Sequence, residues 1–245
     1  MSQSTSTAPA PVILVPGFWL GAWAWDEVAA ELRAAGFEVQ ALTLPGLSPD
    51  AQDRAEVTAE DHVAAICAAV EASDSPPVLA VHSGTGFSGY AASDRLAGRV
   101  AAMVYVDTAP GIGAMDPGFT GSELPMSWGS LSAEENLDGL SPEQLATFQE
   151  RAVPQPGGVV REAVELRDDS RRDVPTTIIC TSFPAEQYRA YAEQEEQVGW
   201  LAGIRELRDV EWVDLPTSHW PMWSRPRELA VLLGDVARRH GASPA

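Results

Sequence analysis

The chain has no lysine. Its sixteen basic residues are all arginine, set against thirty-five acidic ones, and the net charge is −19 over 245 residues. Nucleic acid and anionic membrane surfaces both require clustered positive charge, so neither is expected as a partner. The same shortage weighs against a phosphate-bearing cofactor, although a single helix N-terminus can hold a phosphate locally. Cysteine is as scarce. Cys67 and Cys180 are the only two; neither has a partner at metal-ligand spacing, and both sit in apolar runs, which reads as buried free thiols. The four histidines, at 62, 82, 219 and 240, show no metal spacing either. No metal and no cofactor are expected. No apolar run reaches the ~20 residues of a membrane span. Residues 1–11 are rich in Ser, Thr, Ala and Pro, with neither a basic n-region nor an apolar h-region. They read as a disordered tail rather than a signal peptide, and a soluble, cytoplasmic protein is expected.

What is abundant is apolar and aromatic. Hydrophobic residues make up 45% of the chain and eight are Trp, enough for a substantial core and an aromatic-lined pocket. The length suits one α/β domain with an insertion, or two small domains. Short apolar runs predict strands over 12–15, 37–44, 78–81, 100–106, 176–180 and 210–215. Helical periodicity is expected over 25–35, 59–73, 87–95, 184–207 and 226–239. This alternation predicts an α/β fold with a mostly parallel central sheet and helices on both faces. The pattern breaks at residues 110–173, a Pro-, Gly- and acid-rich block with one clear helix near 141–153. That block reads as a small inserted cap, leaving 12–109 and 174–245 as the core.

The stretch Val78-Leu-Ala-Val-His82-Ser83-Gly84-Thr85-Gly86 runs from a buried strand through small residues into a helix. A serine at such a junction is lifted above the sheet edge, beside a helix N-terminus that favours negative charge. This is the geometry of a nucleophile elbow, with Ser83 as nucleophile and the Gly84 N–H as one oxyanion donor. The usual G-x-S-x-G has Val81 and Thr85 at its outer positions here, so Gly84 and Gly86 are expected to absorb the tightness. The same letters spell Gly84-x-Gly86-x-x-Gly89 between strand and helix, the phosphate-binding fingerprint of an NAD(P)-binding oxidoreductase, with Asp107 ending the next apolar run.

Features elsewhere favour the elbow. His219 lies just past the last strand, where a serine nucleophile's base sits in chain order. Gly17-Phe18 turns the chain after the first strand, so the Phe18 N–H is the candidate second oxyanion donor. On these residues, together with Gly21-Ala-Trp23-Ala-Trp25, the chain resembles the α/β-hydrolase family, and within it the subgroup of plant methylesterases and hydroxynitrile lyases. It departs from that subgroup at Pro16, where a His is usual, and at Thr43, where many members carry Asp. The Trp23/Trp25 pair reads as core.

The resemblance implies a triad acid just beyond the next-to-last strand, but Thr181-Ser-Phe-Pro-Ala-Glu186 has no carboxylate at the counted place. The family's alternative place is the end of the strand after the elbow, which here is Asp107. A carboxylate closing an apolar strand needs a partner, and His219 would supply one. Asp107 is therefore the expected acid and Glu186 the alternative. Trp19, Met126, Trp128 and Trp220 are the expected pocket side chains. The resemblance implies cleavage of a carboxylic ester, or a related acyl or lactone bond, of a small, partly apolar, neutral or cationic molecule. A lyase using the same triad without an acyl-enzyme is the alternative chemistry. Beyond the substrate, a homodimer is left open.

Overall fold

In the computed structural model of the protein, residues 8–96, 98–193 and 199–241 are described. Its frame is a six-stranded sheet, every neighbouring pair parallel, in the order β2-β1-β3-β4-β7-β8. The strands are β1 (Val12–Val15), β2 (Val39–Ala41), β3 (Val78–His82), β4 (Ala102–Val106), β7 (Thr176–Cys180) and β8 (Val210–Asp214). Alternate residues point to opposite faces. Val12, Leu14, Val78, Ala80, Val104 and Ile179 join one buried cluster, while Ile13, Val15, Leu79, Val81, Tyr105 and Ile178 join another. Both faces are covered, which is why the central strands read as unbroken apolar runs.

Helices α1 (Asp26–Ala34) and α9 (Pro226–Arg239) pack together, and so do α2 (Ala59–Glu71) and α3 (Gly86–Arg95). The chain leaves α1 at Gly36, whose φ of 88° suits glycine. Thr58 caps α2 in a reciprocal box with Asp61. The segment between β4 and β7 holds a two-stranded antiparallel pair, β5 (Glu123–Leu124) with β6 (Gln155–Pro156), and three helices. These are α4 (Trp128–Glu134), α5 (Pro142–Arg151) and α6 (Gly157–Arg161). Two further helices, α7 (Ala185–Ala192) and α8 (Pro221–Ser224), flank β8 in sequence.

Three expectations change. Of the expected tail, residues 1–7 lie outside the described residues, but Ala10 is buried and its N–H donates to the Ala237 carbonyl at 2.9 Å. The Pro11 carbonyl accepts from Val78 at 2.7 Å, extending the ladder beyond β1. The helix expected over 184–207 ends at Ala192, and the described chain resumes as 3₁₀ turns at Gly199–Leu201 and Ile204–Glu206. The two turns pack closely on the 110–112 chain. A Cβ on Gly203 would meet the Pro110 ring at 2.6 Å, and one on Gly199 the Ile112 carbonyl at 2.9 Å. Cys67 is only partly buried; Cys180 is buried as expected. Among the described residues no helix is long and apolar enough to cross a membrane, and no His/Cys/Asp/Glu group could hold a metal.

Candidate active site

β3 ends at His82, and the next residue, Ser83, has φ 54° before the chain turns into α3. A β-carbon is disfavoured there by steric contact with the backbone, so the turn needs bracing. Thr85 supplies it. Its hydroxyl donates to the His82 carbonyl at 2.7 Å and accepts the His82 N–H at 3.2 Å, stapling the turn. Thus a side chain stands where the usual motif has glycine. The glycine missing at 81 is replaced through space by Gly89, where a Cβ would lie 2.5 Å from Val81 Cγ1. Gly86 faces the Ala109 carbonyl and Gly84 the Phe18 ring, at 2.4 and 2.6 Å by the same measure. A Cβ at any of the three fingerprint glycines would strike protein.

Ser83 Oγ lies 2.8 Å from His219 Nε2, and His219 Nδ1 lies 2.6 Å from Asp107 Oδ2. Asp107 follows β4 directly, with φ 47°, and its carboxylate is nearly fully buried. Oδ1 accepts from the N–H groups of Thr181 and Ser182 and from the Tyr188 hydroxyl, each at 2.9 Å. Oδ2 accepts from the Ser182 hydroxyl at 2.6 Å besides His219. Burial alone would raise this acid's pKa. The His219 hydrogen bond and charge, followed by the Ser182 bonds, outweigh it and hold the carboxyl well below its usual range. For His219 burial works downward, but the bond to Asp107 and the charges of Asp107 and Glu135 prevail and raise it above 6.5. Burial keeps the Tyr188 phenol protonated, far above its ordinary value, so it remains a donor.

The loop after β7, where a carboxylate was sought, instead provides donors to Asp107. Nothing in the sequence distinguishes Ser182 or Tyr188 for that task beyond their nearness to a strand end. Glu186 is exposed in the first turn of α7, and the carboxylates at His219 Nδ1 among the described residues are those of Asp107 and Glu135 instead.

Trp19, Ser83 and Asp107 are the only non-glycine residues with positive φ among the described residues. Trp19 has φ 66° and is held by the inserted segment. Its N–H donates to Gln155 Oε1 at 3.3 Å, its indole N–H to the Leu124 carbonyl at 3.0 Å, and its carbonyl accepts from Val153 at 3.0 Å. With Trp19's amide engaged, the neighbouring Phe18 N–H makes no bond to protein among the described residues.

Two cavities meet at Ser83, Gly84 and His219. One of about 510 Å³ extends past Glu134, Glu135, Phe183, Tyr188 and Trp200. The other, about 230 Å³, lies against Phe18, Trp19, Leu124 and Trp220. Met115 and Glu135 border both. Trp19 and Trp220 thus face the site. Met126 and Trp128 do not line either cavity; they pack into the core, Trp128 edge-on to Phe148 at 6.4 Å. Phe148 in turn meets Trp220 at 5.1 Å, so Trp128 reaches the pocket wall only from behind. Their apolar character in an irregular block suggested a pocket, but a local core needs the same residues.

The sequence signature described as "Alpha/beta hydrolase family" matches residues 12–232. The chain belongs to this family. Among curated relatives of this alpha/beta hydrolase is Esterase PIR7B of Oryza sativa subsp. japonica, 37% identical over 97% of this chain and 99% of that protein. Methylesterase 7 of Arabidopsis thaliana is 24% identical over 93% of this chain and 96% of its own length. Among solved structures, an extracellular alpha/beta-hydrolase from a Paenibacillus species superposes with a TM-score of 0.72. It is 18% identical, with 95% of this chain and 99% of that one covered, and bears on the fold alone.

Proposed function

We propose that this alpha/beta hydrolase is a serine esterase. It cleaves a carboxylic ester, or a related acyl or lactone bond, of a small, partly apolar molecule through an acyl-enzyme on Ser83. The observation that carries this reading is the unbroken hydrogen-bonded chain from Ser83 Oγ through His219 to Asp107, at 2.8 and 2.6 Å, opening on a cavity. The esterase and methylesterase names of the relatives support it.

In the proposed reaction Ser83 Oγ attacks the ester carbonyl carbon as its proton passes to His219 Nε2. The oxyanion is held by the N–H groups of Phe18 and Gly84. Collapse expels the alcohol, which takes the proton from Nε2. Water then gives a proton to the same nitrogen, attacks the acyl carbon and releases the acid, while Ser83 recovers its proton. Asp107 fixes the tautomer with Nδ1–H and stabilises the imidazolium. Residues 110–173 serve as the cap over this site.

The favoured substrate is neutral or cationic. Glu134 and Glu135 border the larger cavity, and no arginine lines either cavity among the described residues. The same lack disfavours the lyase chemistry, which calls for a positive side chain beside the departing anion. The test is stoichiometric labelling by a fluorophosphonate probe, with the adduct mapped to Ser83 and lost in Ser83→Ala. An unlabelled intact protein overturns the nucleophile assignment. Release of an aldehyde or ketone from a hydroxylated substrate, with no trapped acyl adduct, would select the lyase instead.

A further inference from the structure

His82 is fully buried between the elbow and the loop that carries His219. Its Nε2 lies 2.7 Å from the main-chain carbonyl of His219. A carbonyl only accepts, so Nε2 must carry the proton, and Nδ1 is then a bare acceptor. That Nδ1 is buried with no hydrogen-bond partner. A buried polar atom left unpaired is costly, and an apolar side chain at 82 would avoid the cost. The ring also supports the turn after β1: a Cβ on Gly17 would come 2.7 Å from His82 Nδ1 and 2.9 Å from Ser83 Cβ. One imidazole therefore touches the elbow, the oxyanion turn and the base loop. Its ring centroid is 4.8 Å from that of His219.

We propose that His82 is a positioning residue, its Nε2–H fixing the main chain of His219 so that the base stays registered on Ser83. The proposal rests on the serine-esterase reading. Neutrality suits the task. Burial, followed by the charge of His219, pushes the His82 pKa down to about 3, so the ring donates without adding positive charge beside an imidazolium. The charged groups facing His219 are then Asp107 and Glu135.

Three variants separate the hydrogen bond from packing. His82→Gln places an amide nitrogen near the Nε2 position, His82→Asn near the Nδ1 position, and His82→Phe keeps a ring without a donor. With p-nitrophenyl acetate, His82→Gln should retain kcat within about threefold. The Asn and Phe variants should lose roughly 10²-fold in kcat with KM little changed, the scale on which misplaced reacting groups lose rate. Fluorophosphonate labelling of the wild type reports separately on the esterase reading. If wild type labels but Gln, Asn and Phe behave alike, the proposal is overturned. A measurement on the unaltered protein stands beside these: ¹⁵N NMR should show His82 as the Nε2–H tautomer throughout about pH 5 to 8. Finding the Nδ1–H tautomer, or titration within that range, overturns it equally.

Discussion

Replacing Asp107 by Asn tests the proposed acid with a change of one atom, and the surroundings fix which way the amide turns. The Oδ1 position faces three donors, Thr181 N–H, Ser182 N–H and the Tyr188 hydroxyl. The amide oxygen must take that place, since an NH₂ there would oppose all three. The NH₂ then falls at the Oδ2 position, 2.6 Å from His219 Nδ1. Ser182 can rotate its hydroxyl to accept, but His219 can be satisfied only by giving up its Nδ1 proton. Its Nε2 then carries hydrogen and faces Ser83 as a donor, which is the wrong tautomer for a base. Comparable triads lose about 10⁴ in turnover from this change, equivalent to roughly 5.4 kcal/mol in the barrier. The expected result is a loss on that scale in both p-nitrophenyl ester turnover and the fluorophosphonate labelling rate, with the fold retained in near-UV circular dichroism. Glu186→Gln is the control and should change turnover by less than about tenfold, since an exposed first-turn carboxylate acts mainly on its own helix. An Asp107→Asn protein within tenfold of wild type would refute the assignment, as would an equal loss in Glu186→Gln.

Glu135 raises the pKa of His219 from outside the triad, its carboxylate lying 3.8 Å from Nδ1. Because the base works when neutral, kcat/KM should climb with pH through an acid limb lying above 6.5. Glu135→Gln should move that limb to lower pH in a rate profile; an unmoved limb would show that solvent screens the charge. For stability, a raised histidine pKa contributes below about 6.5 and is lost as pH rises through the folded value, and a depressed Asp107 contributes above about 3.9 and is lost in acid. The buried neutral His82 and His62, with pKa values pushed down to about 3 and about 4, contribute above about 6.5 and are lost as pH falls below it. Chemical denaturation at several pH values should therefore place maximal stability near or above about pH 6.5 rather than in acid. Gly89→Ala should overpack against Val81, costing about 1–3 kcal/mol and lowering Tm by roughly 2–12 °C. Adding Val81→Ala should recover part of the loss in a double-mutant cycle, and strict additivity would contradict the contact.

The sheet was legible because both its faces are buried, so Val12–Val15, Val78–Val81 and Thr176–Cys180 read as apolar runs of strand length. Ser83 and His219 were legible from chain order, and Asp107 from the oddity of a carboxylate ending such a run. What sequence could not supply was compensation through space. Gly89 answers Val81, Thr85 staples its own turn, and Ser182 with Tyr188 holds a carboxylate more than seventy positions earlier. The helix expected over 184–207 stops at Ala192, and sequence says nothing of how Gly199 and Gly203 press on the 110–112 chain.

The grip of residues 124, 153 and 155 on Trp19 bears on how this protein could be re-engineered. An insertion that only roofed a pocket could be exchanged between relatives as a self-contained specificity cassette. Here the inserted segment, the proposed cap, also splints the turn that presents the proposed oxyanion donor. A foreign cap would arrive without its Gln155, and the Phe18–Trp19 turn would lose the scaffold for its left-handed backbone. The transplantable unit is therefore the cap together with the 17–20 turn, two pieces far apart in the gene that the folded protein has made inseparable.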